Sequence, residues 1–165
     1  MQSYKKTIIG VMGASNIDET EMQVTEQLGR LIAQEGWVLL TGGGTSGVME
    51  AALKSAVEAG GETIGVCMGT KHDGYSQYAT IPIFTNAGIG RDYINIISSD
   101  VIVVPSHISR GTMSEVAYAL KTRTPLVLLP GNEEDTVYIK KRGGDLVHVV
   151  ETPQQAIEII KQLLT

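Results

Sequence analysis

The stretch Val101-Ile-Val-Val-Pro-Ser-His-Ile-Ser-Arg-Gly-Thr-Met-Ser-Glu-Val-Ala-Tyr-Ala-Leu120 passes from an apolar run through a polar break into a helical pattern. Val101 to Val104 is short, apolar and β-branched, which predicts a buried strand. Met113, Val116, Ala117 and Leu120 then recur every three to four residues, so a helix is expected to begin where the loop ends, at Gly111-Thr112. A helix opening just beyond a strand presents backbone N–H groups without intrahelical partners, together with the positive end of its dipole. Such a junction can hold an anion. Arg110 would add a full positive charge, and the hydroxyls of Ser109 and Thr112 two more donors, which suits a phosphate better than a carboxylate. The same stretch also admits a local structural reading, because Thr112-x-x-Glu115 has the spacing of a capping box.

Outward from this stretch, the strand, loop and helix unit repeats. Thr7 to Met12 reads as a strand that stops at Gly13-Ala-Ser-Asn16, and Asp18 opens a helix bearing Met22, Leu28, Leu31 and Ile32. Trp37 to Leu40 is a second strand, followed by Thr41-Gly-Gly-Gly-Thr-Ser-Gly47 and a helix to about Ala59. Thr63 to Met68 and Thr80 to Phe84 are read as strands, and Arg91 to Ser98 as a helix. Beyond the opening stretch come a strand at Leu126 to Leu129, a helix at Glu133 to Arg142, a strand at Leu146 to Val149 and a helix at Pro153 to Leu164. Strands alternating with helices predict an α/β fold: a single Rossmann-like domain over residues 1–165, with a parallel sheet and helices on both faces. Ligands of such sheets bind beyond the carboxyl ends of the strands. Three loops rich in glycine and hydroxyls should meet there, making Gly13, Ser15, Asn16, Gly43, Gly44, Thr45, Ser109, Arg110, Gly111 and Thr112 candidate binding residues. The first turn, Gly-Ala-Ser-Asn-Ile-Asp, lacks the G-x-G-x-x-G dinucleotide fingerprint, so NAD is not expected.

Composition narrows the function further. A formal charge of -5, from 18 acids against 13 bases, argues against a nucleic-acid binder, whose affinity comes from clustered Lys and Arg. No apolar run is long enough to cross a membrane, and the N-terminal residues Met-Gln-Ser-Tyr-Lys-Lys carry no secretory pattern, so a soluble, cytoplasmic protein is expected. Cys67 is the only cysteine, which rules out an internal disulfide, and no Cys/His spacing suggests a metal site. Apolar residues on the Arg91 helix (Tyr93, Ile94, Ile96, Ile97) and on the next (Val116, Tyr118, Leu120) suggest self-association.

Three segments together carry a family resemblance. Gly42-Gly43-Gly44-Thr-Ser-Gly47-Val-Met49-Glu-Ala, Ala59-Gly60-Gly61-Glu-Thr-Ile-Gly65-Val66, and Arg91 with Ser99-Asp100 and Gly111-Thr112-x-x-Glu115 resemble the lonely-guy-type proteins. One branch of that superfamily comprises cytokinin-activating phosphoribohydrolases, which split a nucleoside 5′-monophosphate into base and ribose 5-phosphate. The other comprises molybdenum cofactor carrier proteins, which bind the phosphorylated pyranopterin without known chemistry on it. Gly36-Trp37-Val-Leu-Leu-Thr-Gly-Gly43, Arg91-Asp92-Tyr-Ile-Asn95 and Ala119-Leu-Lys-Thr-Arg-Thr-Pro125-Leu-Val-Leu-Leu129 are more similar to the carrier branch.

The enzyme branch normally shows P-G-G-x-G-T-x-x-E and an Arg-Lys pair. Here Ile108 and Ser109 stand in place of the two glycines, Asp92 replaces the lysine, and the loop is one residue longer. The resemblance therefore implies a carrier that binds molybdenum cofactor without catalysis, works as a homo-dimer or tetramer, and exchanges cargo with donor and acceptor proteins. Arg91 and Glu115 match positions that work on the sugar in the enzymes; here they are expected to bind the cofactor, or to act catalytically if hydrolysis survives.

Overall fold

The structure, a computed structural model, describes residues 5–165. Residues 1–4, on which part of the reading of the N-terminus rested, lie outside the described residues. Seven strands alternate with six α-helices: β1 (Ile8–Val11), α1 (Glu19–Gln34), β2 (Val38–Thr41), α2 (Gly47–Glu58), β3 (Thr63–Cys67), β4 (Ile81–Phe84), α3 (Arg91–Ile97), β5 (Val101–Val104), α4 (Arg110–Thr122), β6 (Leu126–Leu128), α5 (Glu133–Gly143), β7 (Val147–Val149) and α6 (Pro153–Leu163). Every strand pair is parallel, in the order β4-β3-β2-β1-β5-β6-β7. The expected doubly covered parallel sheet is therefore present.

Apolar burial explains the layering. Leu28 and Ile32 of α1, Val48, Leu53 and Ala56 of α2, and Ile157 and Ile160 of α6 form one core with Ile9, Leu39 and Val103 of the strands. Ile96 of α3, Val116 and Ala119 of α4 and Ile139 of α5 form the other, against Leu40, Ile102 and Leu126. Strand residues of odd and even position thus feed opposite cores, as the two-residue period of a strand requires. At the edge, β4 is less protected: Ile81 is 47% and Ile83 44% exposed.

The chain moves outward from β1 through β2, β3 and β4, returns across the sheet by α3, and continues from β5 on the other side of β1. The strand order reverses between β1 and β5, which opens a crevice beyond their carboxyl ends. Met12 N–H donates to the Val103 carbonyl at 3.0 Å and continues the pairing into the loops.

One expectation is corrected. The helix after β5 begins at Arg110, not after Gly111-Thr112, and its N-cap is Ser109, whose Oγ accepts from Thr112 N–H at 3.2 Å. Thr112 is therefore the third helical residue, and the proposed Thr112–Glu115 capping box does not form. Apolar periodicity missed the first turn because that turn is polar. A capping box does exist at α1, where Asp18 accepts from Glu21 N–H at 2.8 Å and Glu21 Oε2 accepts from Asp18 N–H at 3.1 Å. Asp18→Ala should lower stability by about 1 kcal/mol in denaturant titration; no change would mean the cap is redundant.

Candidate functional site

The loops after β1, β2 and β5 are locked to one another by short-range geometry. Gly13 sits where they meet: a Cβ there would come 2.5 Å from Val48 Cγ2 and 2.9 Å from Ser106 Oγ. Gly47, at φ 58°, opens α2, and a Cβ on it would overlap the Ala14 carbonyl oxygen; Val48 N–H donates to that same oxygen at 3.0 Å. Ala14 N–H in turn reaches Ser106 Oγ at 3.4 Å. The Ser106–Ser109 loop is held from α1 as well, since Glu21 Oε1 accepts from His107 N–H at 2.7 Å and lies 2.8 Å from its Nδ1. Burial pushes the Glu21 carboxyl up, but the bonds from the His107 amide and ring and from the Asp18 amide together bring it below its ordinary value.

Above the switch point these loops enclose a cleft with two lobes. The narrow lobe, of about 290 Å³, is lined by Gly13, Ser15, Arg91, Ser109, Gly111, Thr112 and Glu115 among others. The wider lobe, of about 620 Å³, is lined by Gly43, Gly44, Thr45 and Arg91, with Cys67 at its wall. Gly42, Met49, Met68 and Arg91 line both, so the lobes adjoin at Arg91. The structure brings these expected residues together. It does not bring in Asn16 and Arg110, which are exposed and line neither lobe. Ser109 and Thr112 are also partly committed to each other, with 2.8 Å between their hydroxyl oxygens. The amides of Arg110 and Gly111, in the first turn of α4, have no carbonyl one turn earlier within the helix to bond.

Charge is concentrated on the floor of the narrow lobe. Arg91 is only 5% exposed, and its Nε makes no hydrogen bond among the described residues, although Asp92 Oδ1 lies 3.4 Å away. Burial raises the Asp92 carboxyl, against the pull of Arg91. Glu115, 8% exposed, is pushed up to about 7, first by burial and then by the Asp92 carboxylate, with Arg91 and a polar contact from Asn95 opposing. Burial also raises the Cys67 thiol, against Arg91. The floor therefore offers a buried guanidinium whose Nε faces Asp92 without a hydrogen bond, and a carboxyl able to donate or accept a proton near neutral pH.

Several contributors were missed in the sequence. Asp92, which the sequence shows as a departure from the enzyme pattern and as part of a carrier-like segment but not as a binding residue, lines the narrow lobe. Asn95 is fully buried, with Nδ2 3.7 Å from Met12 Sδ and, among the described residues, no hydrogen-bond partner for Oδ1. Its spacing of four from Arg91 on α3 was the available signal. Met49 lay within a quoted motif, but its placement over both lobes follows from the helix start at Gly47. No local pattern could have paired Glu21 with His107, separated by 86 residues.

The sheet order, with a cleft at its switch point, defines a Rossmann-like α/β protein of the ligand-binding kind. Residues 6–157 match the model of the SLOG cluster4 family, and the chain belongs to that family. The resemblance read from the three glycine-bearing segments is thus borne out. Among solved structures, the molybdenum cofactor binding protein of Rippkaea orientalis is 41% identical with a TM-score of 0.93, covering 99% of this chain and 100% of that one. The molybdenum cofactor carrier protein of Chlamydomonas reinhardtii is 44% identical with a TM-score of 0.92, covering 97% and 99%. A protein of Archaeoglobus fulgidus whose role is uncharacterised is 36% identical over 149 residues, spanning 90% of this chain and 91% of its own length.

Proposed function

We propose that this protein binds the molybdenum cofactor, a phosphorylated pyranopterin, and carries it without changing it. The observation that carries the reading is the two-lobed cleft with a helix N-terminus at its narrow end, in a chain similar along nearly its whole length to a cofactor carrier. The phosphate sits against the Arg110 and Gly111 amides, where the dipole of α4 favours an anion. Gly111 and Thr112 form the wall there, and Arg110 supplies charge from the rim. The fused rings extend past Arg91 into the wider lobe, against Gly43, Gly44 and Thr45. Gly13 and Ser15 bound the open side, and Asn16 lies exposed beyond them.

A carrier of this kind acts in the cytoplasm as a homo-oligomer, between a protein that releases the cofactor and one that receives it. Self-association is supported by Ile89, Tyr93 and Ile97, which are 84%, 43% and 54% exposed on and beside α3.

The test is to mix purified protein with freshly released cofactor, separate bound from free by gel filtration, and quantify retained pterin by fluorescence after oxidation. Saturation near one pterin per chain is expected. Arg110→Ala and Thr112→Ala should each weaken retention by about tenfold, the scale of one or two charge-assisted bonds. Undiminished retention in both would remove the end of α4 from the site, and no retention by the folded parent would sink the carrier reading.

One observation favours a second reading. Arg91 and Glu115 line the same lobe, and a carboxyl near 7 could protonate a departing base, as a nucleoside 5′-monophosphate phosphoribohydrolase requires. Asp92 opposes it by placing a second carboxylate where the enzymes carry lysine. Incubation of AMP with concentrated protein should release no adenine; release abolished by Glu115→Gln would establish the enzyme instead.

A further inference from the structure

The wider lobe has an outer edge that phosphate binding does not use. Gly69, Asp73, Gly74 and Asn86 line that edge, and three backbone bonds pin the chain around it. Ser76 N–H donates to the Gly43 carbonyl at 2.9 Å, Asn86 N–H to the Gly69 carbonyl at 3.2 Å, and Thr85 N–H to the Cys67 carbonyl at 3.1 Å. Among the described residues, the side chains able to form strong hydrogen bonds along this lobe are those of Thr45, Asp73, Asn86 and Arg91. Two of them, Asp73 and Asn86, stand on the outer wall.

Both are fixed. Asp73 Oδ2 accepts from Thr70 Oγ1 at 2.6 Å and from Thr70 N–H at 2.5 Å, so the carboxylate is held without a cation. Those bonds keep the carboxyl below its ordinary value, the Thr70 hydroxyl contributing most. Gly69 makes room for it, since a Cβ there would come 2.6 Å from Oδ2. Both of these bonds fall on one oxygen, and a carboxylate has about four acceptor sites in all. Asn86 adopts φ 48°, a left-handed backbone that asparagine tolerates better than most residues. A carboxylate and an amide lining one lobe with the thioethers of Met49 and Met68 suit the rim of a flat heteroaromatic ring.

Resting on the carrier reading, we infer that Asp73 and Asn86 read the 2-amino-4-oxopyrimidine edge of the pterin, and that guanine 5′-mononucleotides are a second ligand class for the same cleft. That edge presents a ring N–H and an adjacent amino group, two donors in line, and the two acceptor sites of Oδ1 that Thr70 leaves open can take them. Next to them stands a carbonyl oxygen, which the Asn86 amide can meet as donor. Guanine carries the same donor-donor-acceptor edge, and its 5′-phosphate can reach the end of α4. Adenine carries an acceptor nitrogen where the second donor should be. It therefore turns a lone pair toward the carboxylate, and a site built for a hydrogen-bonding edge rejects an edge that leaves its groups unpaired.

The experiment measures GMP and AMP binding by calorimetry and their displacement of retained pterin, in the parent chain, Asp73→Asn and Asn86→Gly. Asparagine at 73 keeps an oxygen for Thr70, and glycine at 86 keeps the positive φ, so both variants should melt close to the parent. GMP is expected to bind at least about tenfold more tightly than AMP and to displace the pterin. Asp73→Asn should erase that preference and weaken pterin retention about tenfold, while displacement by inorganic phosphate stays unchanged. Asn86→Gly should act in the same direction. Equal GMP and AMP affinities, with pterin retained equally by parent and Asp73→Asn, overturn the inference and leave the carrier reading standing. Failure of the parent to retain pterin overturns the carrier reading; a guanine preference lost in Asp73→Asn would then still support the assignment of that residue, and its absence would end both.

Discussion

Arg91→Met is expected to abolish cofactor retention while the fold still assembles. The guanidinium is the one charged group common to the floor and both lobes, and its Nε makes no hydrogen bond among the described residues. The glycine turn after β2 is shaped around it: a Cβ at Gly42 would overlap Arg91 Nη1 and come 2.6 Å from Cζ. A buried cation facing an anionic ligand contributes about 1.5–3 kcal/mol for each hydrogen bond it makes, so two such bonds correspond to a loss of about 100-fold or more. The substitution also strips Asp92 and Glu115 of their neighbouring positive charge, which raises Glu115 further. The variant should therefore lose more melting temperature at pH 8 than at pH 6. Retention equal to the parent, with a melting loss independent of pH, would show that Arg91 acts on the fold and not on the ligand.

Glu115→Gln should stabilise the protein at alkaline pH. The carboxyl is at about 7 in the fold against 4.5 when unfolded, so folding favours its protonated form. The stabilisation that comes with protonation is complete below about pH 4.5 and is lost as pH rises through about 7. Above that range the ionised group costs up to about 3 kcal/mol, from the shift and about 1.4 kcal/mol per pH unit. A neutral amide of the same shape escapes that cost. The variant is expected to melt several degrees above the parent at pH 8 and close to it at pH 5. A phosphate placed nearby raises the carboxyl further, so ligand binding around pH 7 should take up a proton and weaken as pH climbs. Calorimetry in buffers of different ionisation heat measures that uptake. Parallel melting profiles for parent and variant across pH would exclude Glu115 as the titrating group.

Periodicity carried most of the fold, because the buried strands are short apolar runs and the helices show one apolar face. The strands at Val101–Val104 and Ile81–Phe84 were visible for that reason. The start of α4 was not, since its first turn is polar and only the hydroxyl of Ser109 marks it. Residues on the three loops were legible from glycine and hydroxyl content, and the cleft holds Gly13, Ser15, Gly43, Gly44, Thr45 and Thr112. Asn16 and Arg110 carried the right chemistry, but their exposure depends on the direction of the first loop and on where α4 begins, which composition does not encode. Asp92 and Asn95 are defined by the face of α3 that turns inward. Asp73 became visible only once its Thr70 bonds and the neighbouring wall were placed, and Glu21–His107 is a contact between distant parts of the chain.

The pairing of β1 with β5 has a consequence for the order of events during synthesis. Its two halves are separated by a long loop through three other strands, and closing such a loop is entropically costly before the contacts that reward it exist. The narrow lobe draws Gly13 and Ser15 from one side of that closure and Thr112 and Glu115 from the other. A nascent chain that has emerged only through β4 can bury part of one core, yet it has no phosphate end to offer. Cargo capture should therefore begin only after α4 has left the ribosome, and early contact with a cofactor donor would meet half a cradle.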